Sequence, residues 1–92
     1  MTRTTDTTYN GWTNYATWRV NLEIFDGLTS DYYGTNDTTR LAQELREHAE
    51  EIIEATTTEP GLARDYALAF LGDVNWREIA RALIEANEEI DA

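Results

Sequence analysis

Leu41, Leu45, Ala49, Ile52 and Ile53 recur along residues 38–55 at the spacing of one helical face, and no Gly or Pro interrupts them. Apolar residues three to four apart share one side of a helix, whereas a strand needs alternation. This stretch therefore commits the chain to a long amphipathic helix from about Thr38 to Ala55. Asp37 or Thr38 supplies the side-chain oxygen that caps its first turn. The β-branched run Thr56 to Thr58 weakens it at the other end.

Three more helices fit around it. The first runs from about Asn14 to Phe25, with Tyr15, Trp18, Leu22 and Phe25 as its inward stripe. Thr13 or Asn14 caps it, Trp12 packs back as a staple, and Gly27 suits the left-handed residue that ends it. Residues 28–37 form a loop rich in turn formers. The third helix starts near Pro60 and ends at Leu71 before Gly72, with Leu62, Tyr66, Ala69 and Phe70 inward. The fourth starts at Asn75, which forms a capping box with Glu78; Ile79, Ala80, Leu83 and Ile90 face inward. Short connections favour a compact antiparallel arrangement. The expectation is an all-α single domain over residues 1–92, with residues 1–8 a frayed, flexible arm. A small strand around residues 7–12 is a further option with no identified partner.

Charge limits what such a domain can do. Eighteen Asp and Glu stand against seven Arg and no Lys, for a net charge of −11 on 92 residues. Like charges repel across a compact fold, so the imbalance calls for a cause other than stability. It opposes direct binding to nucleic acid or to an anionic membrane. No apolar run approaches the roughly 20 residues that span a bilayer. The chain has no Cys, which fits a reducing cytoplasm.

Catalytic chemistry finds little to work with. His48 is the one histidine and sits at the edge of the apolar stripe; Ser30 is the one serine and lacks a nucleophile elbow. There is no Gly-rich phosphate loop, and residues 31–37 lack the EF-hand spacing. The reading is a non-enzyme with no cofactor and no metal.

The acidic rows carry more information. Carboxylates three or four residues apart on a helix lie about 5–6 Å apart, a spacing that can stand in for DNA phosphates. Glu44, Glu47, Glu50, Glu51 and Glu54 on the second helix are the first candidates to contact a basic partner. Asp31 and Asp37 before it, and Glu85, Glu88 and Glu89 on the fourth helix, form a second group. The rival cause is salt adaptation, which coats a whole surface with acids and depletes Lys. Trp12, Tyr15 and Trp18 read as core, with a stacking platform as the alternative. Tyr32 and Tyr33 in the loop are candidates for gripping a partner protein.

Tyr9-Asn10-Gly11-Trp12-Thr13-Asn14-Tyr15-Ala16-Thr17-Trp18 resembles an N-G-W-T-N-Y-E-T-W signature, with Ala16 in place of the acidic residue. Small proteins of phages, plasmids and other mobile elements carry it. Val74-Asn75-Trp76-Arg77-Glu78-Ile79-Ala80 is similar to a second block of such proteins. Small size, acidity and that setting together resemble anti-CRISPR proteins, several of which imitate DNA. The resemblance implies an inhibitor, acting in the host cytoplasm, that blocks DNA binding by a type I CRISPR effector through a basic surface of that complex. The alternative is an adaptor that binds a host protein through an aromatic patch, its acidity due to salt.

Overall fold

The computed structural model describes residues 8–57, 59 and 61–91, the last two through their backbone alone. Among these residues the chain forms four α-helices: α1 (Tyr15–Val20), α2 (Thr38–Thr56), α3 (Leu62–Leu71) and α4 (Trp76–Asp91). A π-helical turn, Asn21–Phe25, continues α1, and a 3₁₀ turn, Ser30–Tyr33, precedes α2. The all-α architecture is as the periodicity requires. The flexible arm and the Pro60 helix start expected from sequence lie largely outside the described residues, as does the side chain of Ile90.

The chain opens on a tight turn rather than a strand. Tyr9 and Trp12 exchange backbone hydrogen bonds of 2.9 and 2.8 Å, and Asn10 and Gly11 between them have φ of +48° and +86°. Positive φ at both central residues marks a type I′ turn, for which Asn-Gly is the favoured pair. The strand considered for residues 7–12 is reduced to this one bridge.

α1 buries Ala16, Thr17 and Val20, not the expected stripe. Tyr15 and Leu22 are exposed and Trp18 is half-buried. Small residues on the inner side let α1 approach its neighbours closely. The wider π turn then rotates Phe25 back to the side of Val20, where it is fully buried. Gly27, at φ +86°, ends the segment as expected.

α2 is capped by Asp37, whose Oδ1 accepts the Arg40 N–H at 3.0 Å. Its buried face is Leu41, Ala42, Leu45 and Ala49, with Ile52 and Ile53 half-buried. α4 packs along it through Trp76, Ile79, Ala80 and Leu83. Arg77 Nη1 donates to Thr39 Oγ1 at 2.8 Å, so these two helices run side by side from a common end.

α3 departs furthest from expectation. Leu71 is buried and Ala67 and Leu68 are half-buried, but Leu62, Tyr66, Ala69 and Phe70 face solvent. The helix is apolar nearly all round, so periodicity cannot choose its inner side. Arg64 decides it. Its guanidinium donates to the Glu54 and Thr57 carbonyls at 3.3 and 2.7 Å and to Thr57 Oγ1 at 2.9 Å. That tether satisfies the end of α2 and turns the opposite side of α3 outward.

Candidate functional site

The two signature blocks meet in space. Asn14 Oδ1 accepts the Thr17 N–H at 2.9 Å and so caps α1; its Nδ2 donates to the Asp73 carbonyl at 2.8 Å. Thr17, fully buried, donates its hydroxyl to Asn14 Oδ1 and accepts the Asn75 N–H. Asn75 Oδ1 accepts the Glu78 N–H at 3.1 Å, which caps α4. The Glu78 carboxylate does not close the expected capping box on Asn75. It accepts the Thr13 N–H at 2.9 Å instead, because Thr17 already holds the Asn75 N–H. Asn75 Nδ2 completes the set by donating to Thr13 Oγ1 at 3.1 Å. Two helix caps are thus built as one network. Ala16 belongs to it by default: it faces the core, where a carboxylate would be desolvated.

The candidate carboxylates fall into distinct settings. Glu44 is half-buried and paired with Arg40 at 2.9 Å, and Glu50 is paired with Arg46 at 3.2 Å. Glu47 is exposed and accepts from Gln43 Nε2 at 3.1 Å. Glu51 and Glu54 are exposed on the same outward side of α2. Asp37 is occupied as a cap, and Asp31 is exposed on the 3₁₀ turn. Glu85, Glu88 and Glu89 are exposed on α4.

Position along the helices matters more than number. No Lys or Arg follows Arg46 in α2 or Arg81 in α4. Arg77 and Thr39 join the first turns of α2 and α4, so the acidic second halves of both helices lie at the end away from that contact. Helix C-termini already carry partial negative charge, so carboxylates gathered there raise the potential and oppose stability. Arg64 is the cation that partly offsets this at the end of α2.

Residues 5–91, which include both blocks and this acidic end, match a sequence family described as a family of unknown function. The chain belongs to the DUF7249 family. No curated protein and no solved structure matches it. The paired caps therefore lie wholly within the span that defines DUF7249.

The His48 ring, the residue weighed for proton transfer, is engaged. Its Nδ1 lies 2.7 Å from the Tyr33 hydroxyl, and both rings pack edge-on against Phe25. Burial, with Tyr32 and Glu44 nearby, pushes the Tyr33 phenol up to about 12. Tyr33 thus anchors the 3₁₀ turn to α2, and of the loop tyrosines only Tyr32 is left facing solvent, 65% exposed. Among the described residues, no cluster of His, Asp and Glu is placed to hold a metal ion. An open cleft of about 320 Å³ lies between the N-terminal turn and α4, lined by Gly11, Trp12, Glu78, Arg81, Ala82 and Glu85. No helix among the described residues is long and apolar enough to cross a membrane.

Proposed function

We propose that this protein acts by binding rather than catalysis. Its acidic end occupies a basic, nucleic-acid-binding surface of a host complex, in the manner of an anti-CRISPR inhibitor of a type I effector. The observation that carries the reading is that α2 after Arg46 and α4 after Arg81 carry no Lys or Arg, while the first turns of the two helices are tied by the Arg77–Thr39 hydrogen bond. Exposed Glu47, Glu51 and Glu54 on α2, with Glu85, Glu88 and Glu89 on α4, take the place of phosphates. Glu44, Glu50, Asp31 and Asp37 add long-range field; the first two are already paired and Asp37 is committed to its cap. Complementary charge speeds association and makes it salt-sensitive. No cofactor takes part, and the site of action is the host cytoplasm.

The test is competition with target DNA for a purified type I effector, across a salt series. Binding should weaken steeply with salt and be lost when Glu51, Glu54, Glu85 and Glu88 are changed together to Lys. Full inhibition by that variant would rule out the phosphate-replacing surface.

A second reading has its own observation. Carboxylates also occur on the π turn, the 3₁₀ turn and α3, as Glu23, Asp31 and Asp65, all exposed. That spread fits salt adaptation, with exposed Tyr32 gripping a host protein as an adaptor. Partner binding would then persist in high salt and fall on Tyr32→Ala.

A further inference from the structure

The outer side of α3 is an uncovered apolar surface. Leu62 and Tyr66 are 67% and 69% exposed, and with Phe70, 37% exposed, they stand one helical turn apart in a ridge. The ridge continues onto the N-terminal turn and α1. The Phe70 ring lies 6.4 Å from Tyr15, Tyr15 lies 5.1 Å from Tyr9 and 5.6 Å from Trp18, and Tyr9 lies 4.8 Å from Trp18. Tyr9, Tyr15, Tyr66 and Phe70 together expose on the order of 400 Å², taking roughly 200 Å² per aromatic ring. A patch of this size matches the largest on a typical monomer, which is often a functional one.

Charge selects the occupant. The outer sides of α2 and α4 carry the carboxylates described above, so two copies meeting there would set acid against acid. On the outer side of α3 the one charged residue is Asp65. On α1, Arg19 is balanced by Glu23 at 2.7 Å. This is the charge-poor face of a −11 chain, where a second copy can approach with least repulsion. A basic partner would instead seek the acidic end. Residues 1–7 offer Met1 as their one apolar side chain, a poor chemical match for the ridge.

We propose that the Leu62–Tyr66–Phe70 ridge, with Tyr9, Tyr15 and Trp18, is the contact between two copies of this chain. A two-fold pairing sets each ridge against its counterpart. Two such patches supply about 800 Å² of aromatic surface, to which Leu62 adds, which places the contact in the weak class below about 1,200 Å². The dimer is therefore modest, concentration-dependent and tightened by salt, because screening weakens repulsion between two acidic chains.

Sedimentation equilibrium on the full chain tests this at low and high salt, up to millimolar protein. The expected result is a reversible monomer–dimer equilibrium that strengthens with salt. Leu62→Gln with Tyr66→Glu should weaken it at least about tenfold, with helix content unchanged by circular dichroism. Should that variant fail to fold, Tyr66→Ser alone serves in its place. Removing residues 1–7 should leave the dimer intact. A chain that stays monomeric at every concentration and salt would overturn the proposal. So would a dimer indifferent to these substitutions, or one lost with residues 1–7.

Discussion

Thr17 Oγ1, on a fully buried side chain, accepts the backbone N–H of Asn75 at 2.9 Å across 58 residues of sequence. One hydroxyl thereby joins the cap of the first helix to the cap of the last. Its removal strands the Asn75 donor and one acceptor site of Asn14. Thr17→Val should cost about 1–3 kcal/mol, read as a shift in urea midpoint at constant slope. Thr17→Ser, which keeps the hydroxyl, should cost clearly less.

Asn14 and Asn75 each cap a helix, and each also reaches into the other's block. Either Asn→Ala change should destabilise by about 0.5–2 kcal/mol. Because Thr17 bonds to both residues, the double variant should lose less than the sum. A double-mutant cycle by chemical denaturation checks this; strict additivity would mean that the caps act independently.

Tyr33 links stability to high pH. Its phenol ionises near 10 in the unfolded chain and is raised to about 12 in the fold, chiefly by burial. Below pH 10 it is neutral in both states and its contribution is fully present. Between pH 10 and about 12 only the unfolded chain loses the proton, so that contribution declines as pH rises. Tyr33→Phe should flatten this part of the stability profile, and Tyr33 should be the late phenol in an ultraviolet titration of the folded protein.

Glu88 and Glu89 sit in the last turns of α4, where the helix dipole disfavours them. Changing both to Gln should raise thermal stability slightly, by a few tenths of a kcal/mol, with the gain shrinking in salt. The same change should weaken capture by a basic partner. A variant more stable and equally inhibitory would show that these acids are not used for binding.

Much of the fold was legible from local chemistry. The α2 stripe, its cap at Asp37 (one of the two residues offered), the Asn75 half of the expected capping box and the Gly27 stop each depend on residues near in sequence, and each is found. What escaped depends on distant partners. The side of α1 that faces inward follows from Thr17 meeting Asn75, and a stripe of large residues concealed this. The rotation of α3 follows from Arg64 tying down the end of α2; an apolar helix gives no pattern from which to infer it. The candidate acids were visible as rows. Which of them Arg neutralises, and that α2 and α4 begin together, depend on geometry that spacing does not encode.

The joined caps also set an order of events during synthesis. α1 is six residues long, too short to hold its shape alone. The groups that frame it, the Asp73 carbonyl, the Asn75 N–H and the Glu78 carboxylate, are 58 to 65 residues further along. As the nascent chain leaves the ribosome, α2 can form from its own residues, while the first helix must wait for the last to emerge. Closing so long a loop is slow relative to local helix growth. The segment around Asn14 is therefore made before the rest of this fold and is among the last parts of it to become ordered.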